Sequence, residues 1–496
     1  MKMKKTAALA LATFLSLGVC GAQALTMTGL ETELVERDWA TSKFFARMET
    51  LTGVSVQAQE IEDEAEYAAM LEAMCAGDVH TDALFKANLS REQERALLES
   101  GAILDLAPLL EANMPNLCAL LDAHPEWRTV MELEDGRIAS LPLLNERERQ
   151  AALWINRAWL DKLGLPMPQT LEELTDALLA IRDCDPNGNG KRDEIGADLI
   201  GVYEMRWLLP YFGIVADDYN LTRDASGELV FAPELPEYRA FIELLQDWYV
   251  RGVLREDAFT ALHGAQVLNE RDDRAPVVSG MLLSMTPYTH LKADSVTEYE
   301  PLLLPGPDGR TRWRDLLGGV WTGCFAVTSA CDDPAEALRW ADALYAQEGA
   351  LLGYAGVEGE DYTVNDAGKW SFALQGGRDI SAIRAQVLMY TGTAMPGLYP
   401  ADFVHRVDSR VDQHVFAASE KVRAVSERVT QPYGLDAAAQ AEADALNATL
   451  GALVDTGIAR FATGETELTD ENYAAWLAQL KEAGSDRLTE LFQDAQ

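Results

Sequence analysis

The ten residues Asp185-Pro186-Asn187-Gly188-Asn189-Gly190-Lys191-Arg192-Asp193-Glu194 hold the sharpest chemical pattern in the chain. Oxygen-bearing side chains fall at loop positions 1, 3, 5 and 9, and a glycine falls at position 6. Calcium takes roughly six to eight hard oxygen ligands at ~2.3–2.6 Å, and the glycine permits the turn that brings alternate side chains inward. Position 12, where a bidentate Glu usually completes such a loop, is Gly196. Glu194, at position 10, is the candidate replacement, alongside Asp185, Asn187, Asn189, Asp193 and the carbonyl of Lys191. The expected role is structural, because the loop carries no paired base or nucleophile. The competing reading is a metal-free polar turn, which Asp-Pro and Asn-Gly pairs favour by themselves.

A second group of residues points to ligand stacking. An aromatic platform can stack on the flat apolar face of a ligand, while amides and carboxylates can bond to its polar groups. A Trp or Tyr supplies ~150–250 Å² of contact with a polar edge. The candidates near expected strand ends are Trp321, Tyr288, Trp207, Tyr203, Trp154 and Tyr362. Trp321 and Tyr288 follow Gly or Pro breaks, where the chain should face a cleft. Asn145, Glu146 and Glu358 are the candidate hydrogen-bonding groups. Core packing for the rings, and ordinary surface charge for the polar groups, are the alternative readings.

Catalytic signatures are sparse. The chain has no H-E-x-x-H, no G-x-S-x-G and no phosphate-binding loop, and its six histidines are scattered. Paired carboxylates for glycoside cleavage are compatible with 80 acidic residues, so a secreted calcium-containing polysaccharide hydrolase or lyase stands as the alternative function.

The elements that must position these groups alternate in type. Ala152 to Asn156 is apolar and β-prone, suited to a strand buried on both faces. Pro166 and Pro168 stop the helix that follows. Thr170 and Glu173 then form a capping box for a new helix, whose Leu171, Leu174, Leu178 and Ile181 share one face. Upstream, Val54 to Val56 and Val79 to Phe85 read as strands around a helix over 61–74, and Ile138 to Leu143 follows the Asp135-Gly136 turn. The polar run 145–149 is the first candidate hinge. Downstream, 238–249 reads as an amphipathic helix, Phe325 to Val327 as a strand, and Asp333-Pro334 as a helix start. The last 140 or so residues read as mostly helical.

At 496 residues the chain needs roughly two or three lobes. Asp plus Glu number 80 against 41 Lys plus Arg, an imbalance that would repel nucleic acid and anionic lipid. Lys2, Lys4 and Lys5, the apolar run 6–19 and Ala22-Gln23-Ala24 read as an export signal over residues 1–24. Lipid attachment at Cys20 is the rival, disfavoured by the bulky Val19 before it. Five later cysteines are too scattered for a disulfide scaffold, and only Cys324 and Cys331 lie near enough in sequence to invite a bridge.

The motifs taken together resemble those of the extracellular solute-binding proteins of ABC-type carbohydrate importers, in the large branch with a calcium loop in the second lobe. The resemblance is carried by W-I-N at Trp154, W-L-D-K-L-G-L at Trp159, P-x-T-L-E-E-L at Pro168 and the D-P-N-G-N-G-K-R-D-E loop. G-V-E-G-x-x-Y at Gly356 and F-A-T-G-E at Phe461 extend it. It implies a two-lobed α/β fold of type II, each lobe a mainly parallel sheet flanked by helices, with a hinge crossed more than once. The expected partition is 25–147 with 305–355 in one lobe, and 148–304 with 356–496 in the other. The resemblance further implies an oligosaccharide gripped between the lobes, a monomeric receptor outside the cytoplasm, and permease subunits and an ATPase as separate polypeptides.

Overall fold

The computed structural model describes residues 24–32, 36–133, 135–147, 149–260, 277–287, 291–315, 319–374, 376, 378–429, 435 and 437–494. Residues 1–23 of the expected export signal, among them Cys20, and Tyr288 lie outside these residues. No described helix is long and apolar enough to cross a membrane.

Two sheets organise the molecule. The first has six strands in the order Gly397–Leu398, Leu141–Leu144, Val320–Val327, Ala83–Phe85, Leu25–Leu30, Val56–Ile61. The second has four, in the order Tyr299–Pro301, Ala152–Asn156, Ser279–Ser284, Ile195–Asp198. Each sheet anchors its own apolar core. One core runs from Leu25 to Leu144 and again from Val320 to Met395, and the other from Ala151 to Trp313 and again from Val415 to Phe492. Among the described residues the chain therefore passes between lobes after Leu144, between Trp313 and Val320, and between Met395 and Val415.

This connectivity corrects the expected partition. Residues 356–398 belong with the first lobe: Ile383, Val387, Leu388 and Met389 are buried in its core, and Gly397–Leu398 pairs in parallel with Leu143 and Leu144. The helical appearance of the last third hid this return, because its hairpin of Tyr362–Val364 and Trp370–Phe372 is short and packs in a satellite cluster around Phe403. The sheets are also more mixed than expected. Strand Val320–Val327 enters the first sheet from the other lobe and runs antiparallel to Ala83–Phe85 and Leu141–Leu144. In the second sheet Ala152–Asn156 runs antiparallel to both its neighbours, and Ile195–Asp198 alone is parallel to Ser279–Ser284.

Local signals read from the sequence set the helices. Thr170 caps helix Leu171–Asp183 by accepting from the Glu173 amide, and the Glu173 carboxylate reaches back to the amide of Gln169 at 2.7 Å. Leu174, Leu178 and Ile181 are fully buried, each worth ~1.5–3 kcal/mol of transfer free energy. Asn156 ends its strand and caps helix Arg157–Leu163 through the Trp159 amide. Asp333 caps Pro334–Asp342 as expected. Cys324 and Cys331 are free thiols, not a bridge; both are buried, which pushes their thiols up to about 12 and about 11 respectively.

Replacing Ile383 by Ala should destabilise the protein by ~2–5 kcal/mol, because the side chain sits in the first-lobe core with no solvent contact. Urea unfolding measures this. A loss below about 0.5 kcal/mol would contradict the placement of 356–398 in that core.

Candidate functional site

In open α/β sheets ligands sit beyond the carboxyl ends of parallel strands. In the first lobe, strands Leu25–Leu30 and Ala83–Phe85 end together at Glu31 and Lys86, both inaccessible to solvent. Lys86 Nζ lies 2.9 and 3.0 Å from the two Glu31 oxygens, and Arg37 Nη1 and Trp39 Nε1 donate to Glu31 Oε2. Burial by itself would raise the Glu31 pKa, but the Lys86 and Arg37 cations and the donated hydrogen bonds outweigh it and hold the carboxyl below its ordinary value. The same cations reach across to a distant segment. Lys86 Nζ donates to the Thr391 carbonyl at 2.8 Å, and Arg37 donates to Thr391 Oγ1 at 2.8 Å and to the Arg384 carbonyl at 3.1 Å. The 391–393 turn is thereby fastened over the strand ends, where Thr32 and Thr393 hydroxyls meet at 3.1 Å. Exposed Thr32 and Asn88 and half-buried Thr391 form a rim of neutral hydroxyl and amide groups.

The backbone around this rim is bent for close approach. Lys86 and Asn88 adopt positive φ of 53° and 48°, which costs of order 1–3 kcal/mol at each non-glycine residue and marks functional sites more often than ordinary loops. The amides of Ala87 and Leu89 donate to the carbonyls of Cys324 and Gly323, each at 3.0 Å. Strand Val320–Val327 bulges there, with its register against Leu141–Leu144 shifting between Trp321 and Phe325. Gly323 has φ of 76°, and a Cβ on it would lie 2.1 Å from the Leu89 carbonyl oxygen. Trp321 lies half-buried at the start of this interior strand, just before the bulge and opposite Leu143.

On the second lobe, Tyr203 is 45% exposed on helix Gly201–Met205. The Arg206 guanidinium lies 5.8 Å from the Tyr203 ring centre and donates to Asn220 Oδ1 at 2.6 Å. Its neighbour Glu204 is buried and accepts from the Ile200 amide at 2.7 Å. Burial pushes its carboxyl up to about 7, against the smaller lowering effect of that hydrogen bond.

The crossings are clasped by specific contacts. Asn145 donates its amide to the Gly319 carbonyl at 2.7 Å, joining two crossings, and its Oδ1 accepts from the Arg147 amide at 3.0 Å. Gln150 donates its amide to Ser419 Oγ and its side chain to Asp315, both at 3.0 Å. Phe416 of the second lobe stacks on His405 at 4.2 Å between ring centres and carries the Arg149 guanidinium at 4.6 Å.

The structure separates the predicted ligand residues. Trp321, Tyr203, Asn145 and Glu146 lie at lobe edges or crossings with accessible surface. Trp154, Trp207 and Tyr362 do not: they are 1%, 2% and 4% exposed and belong to cores. Trp154 Nε1 donates to the Ser284 carbonyl at 2.8 Å, Trp207 packs against Trp313, and Tyr362 against Phe403. Glu358 is exposed in the turn that bridges back to Tyr362. Glu31, Lys86, Arg37, Asn88 and the 391–393 turn were not anticipated. The available signal was a lysine placed directly after the wholly apolar strand Ala83–Phe85.

The loop 185–194 folds as an oxygen-lined turn. Asp185 accepts from the amides of Asn189 and Gly190 at 3.0 and 2.8 Å, and Asn187 and Asn189 Oδ1 accept from the amides of Asn189 and Lys191. The side-chain amides of Asn187 and Asn189 both donate to Asp193. Glu194 is 5% exposed; its Oε1 accepts from the Asn187 amide at 3.3 Å, while its Oε2 is buried without a hydrogen-bond partner. Burial raises its pKa, helped by the nearby Asp185 and Asp193 carboxylates. Among the described residues no three His, Cys, Asp or Glu side chains form a metal cage, so this set depends on its two Asn side chains and a carbonyl. An orphaned buried carboxylate oxygen beside two further carboxylates is what a hard cation would satisfy.

No protein-family model matches the chain. The fructooligosaccharide ABC transporter substrate-binding protein FusA of Streptococcus pneumoniae is 27% identical over 336 residues, covering 64% of this chain. That match spans 60% of the length of FusA. An HMO-binding ABC-transporter-associated solute-binding protein from Bifidobacterium longum infantis superposes with a TM-score of 0.80 at 20% identity, over 96% of this chain and 99% of that one. An EF-hand mutant of FusA in complex with fructo-nystose superposes with a TM-score of 0.71 at 20% identity, over 95% and 99%. These likenesses show the fold, the two-lobed α/β arrangement of type II solute-binding proteins.

Because the Glu204 carboxyl is raised from 4.5 to about 7 in the folded state, the native protein holds this proton more tightly than the unfolded chain. Its contribution to stability is complete below pH 4.5 and is lost as pH rises through about 7. The loss should be on the order of 3 kcal/mol. In Glu204→Gln this part of the pH dependence should vanish in urea melts; an unchanged slope between pH 5 and 7 would count against the assignment.

Proposed function

We propose that this chain is the extracytoplasmic substrate-binding component of an ABC importer, capturing an oligosaccharide between its lobes and delivering it to a membrane permease. The observation that carries this reading is the pairing of two α/β lobes, joined by several crossings of the chain, with a neutral polar rim and a half-exposed Trp321 on the bulged strand of the first lobe. Hydroxyl and amide groups at Thr32, Asn88 and Thr391 match sugar hydroxyls, and the Trp321 ring matches a sugar C–H face. The sequence relationship to FusA supports a carbohydrate ligand. Ligand favours the closed state only by touching both lobes, so Trp321 and Tyr203 are assigned to opposite walls. The chain acts as a monomer outside the cytoplasm, delivered there by the signal at residues 1–24, and the permease and ATPase are separate polypeptides.

Calorimetry with fructooligosaccharides and a glycan array tests this. Trp321→Ala should weaken the bound sugar by ~1–3 kcal/mol without lowering the melting temperature of the free protein. Sugar turnover into shorter products, or unchanged affinity in Trp321→Ala together with Tyr203→Ala, would refute the reading.

A structural calcium ion belongs to the same proposal. Asp185, Asn187, Asn189, Asp193 and Glu194, with the Lys191 carbonyl, would hold it. The bound ion supplies a fixed double positive charge that ties the end of helix Leu171–Asp183 to strand Ile195–Asp198. The orphaned Glu194 oxygen supports this assignment, and a solved FusA structure described as an EF-hand mutant is in keeping with it. Excess calcium at 100 times its Kd should add about 2.7 kcal/mol of stability over chelator, and Glu194→Gln should lose most of that gain. Identical melting temperatures with calcium and with chelator would remove the site.

A further inference from the structure

Asn187-Gly188 and Asn189-Gly190 are the two Asn-Gly pairs of the chain, and they stand side by side in the 185–194 loop. An Asn followed by Gly can react with itself. The backbone nitrogen of the glycine attacks the side-chain carbonyl carbon of the asparagine, a five-membered imide closes, and ammonia leaves. Glycine favours the step because it has no Cβ to block the approach and its backbone is soft. Three events set the barrier: the amide proton must be removed, negative charge builds on the side-chain oxygen, and the side-chain nitrogen must depart.

At Asn189 the loop supplies a group for each event. The Gly190 amide donates to Asp185 Oδ2 at 2.8 Å, so a carboxylate sits on the proton that must leave the nucleophile. The Lys191 amide donates to Asn189 Oδ1 at 2.8 Å, where the negative charge develops. Asn189 Nδ2, the departing nitrogen, donates to both oxygens of Asp193 at 3.0 Å. Asn189 and Gly190 are exposed, Gly190 has φ of 78°, and a Cβ built on it would meet nothing within 4 Å. Asn187 lacks the first of these groups. The Gly188 amide donates to the Asp185 backbone carbonyl at 3.2 Å, which is not a base, and half-buried Asn187 divides its Nδ2 between Asp193 and the Val277 carbonyl.

We infer that Asn189 is a self-modification site: in the loop free of cation, Asp185 is the general base that drives closure of Asn189 onto Gly190. The bond formed joins Gly190 N to Asn189 Cγ, and the bond broken joins Asn189 Cγ to Nδ2. The Gly190 proton passes by way of Asp185 to the departing nitrogen, which leaves as ammonia. Water then opens the imide at either carbonyl and gives an aspartyl or isoaspartyl residue at position 189. The first product adds a fourth carboxylate to Asp185, Asp193 and Glu194, and the second lengthens the backbone there by one methylene. Each would change the hold of the loop on a hard cation, a consequence that rests on the calcium reading, whereas the reaction itself does not.

The experiment is peptide mapping by mass spectrometry on the full chain incubated at neutral pH in chelator, following the amide-to-acid exchange separately at positions 187 and 189. Chelator keeps cations off the Asp185 and Asn189 oxygens, so the outcome does not depend on the calcium reading. In the folded chain Asn189 should convert at least about tenfold faster than Asn187, and in urea, where only the shared Asn-Gly sequence acts, the two rates should draw level. Asp185→Asn keeps an acceptor beside the Gly190 amide but no base, and should slow Asn189 at least about tenfold, with an unchanged melting temperature verifying that the variant folds. If that variant melts lower, the comparison of folded and urea-treated wild type decides. Three results would overturn the site: conversion at Asn187 equal to or faster than at Asn189 in the folded chain, a preference for Asn189 that persists in urea, or an unchanged Asn189 rate in folded Asp185→Asn.

Discussion

A buried carboxylate with its cations out of water must be fully satisfied or the protein loses several kcal/mol, and Glu31 meets that demand by reaching across the sequence. Its partner Lys86 comes from the end of the neighbouring strand and Arg37 from the segment before the Trp39–Thr41 turn, and the same two cations grip Thr391 and Arg384, more than 300 residues later in the chain. The first lobe therefore closes around an electrostatic knot rather than around apolar packing alone. Two arms of the chain meet there, the outgoing one that builds strands Leu25–Leu30 and Ala83–Phe85 and the returning one that ends in Gly397–Leu398. The neutral rim above the knot is held by it, since a shift of the 391–393 segment would take hydrogen bonds from two buried cations.

The crossings explain why each sheet is mixed. A strand that arrives from the other lobe enters at the cleft end and runs against the strands that leave toward it. Val320–Val327 is such a strand, and its bulge at Gly323 is placed where the incoming chain must pass Leu89 at near-contact distance. Topology, bulge and the exposure of Trp321 are thus one arrangement seen at three scales. The clasp of Asn145 on Gly319, and of Phe416 between His405 and Arg149, gives the described residues of the crossings contacts of their own.

Much of this was legible in the sequence because it is local. Thr170, Asp333 and Asn156 act as caps through their own side chains, and the 185–194 loop is dictated by residues at fixed short spacing. The two-lobed architecture followed from the motifs. What was not legible is long-range. Trp154 was proposed as a ligand platform although its strand reads as buried on both faces, and the second property decided its fate: its indole is spent on the Ser284 carbonyl. Trp207 and Tyr362 were likewise drawn into cores by Trp313 and Phe403, partners far away in sequence. The Glu31 knot and the return of 356–398 depend on which segments the crossings bring together, and periodicity is silent on that.

The two-residue strand Gly397–Leu398 has an importance beyond its length. It lies at the border of the six-stranded sheet, covering Leu141–Leu144, whose four residues are all apolar and all buried. A polypeptide cut short anywhere before residue 397 would leave that ladder of amides and carbonyls open along a greasy strand, the kind of border that recruits a neighbouring molecule. Completion of synthesis nearly to the end of the first-lobe return is thus what keeps a nascent copy from sticking to its sisters.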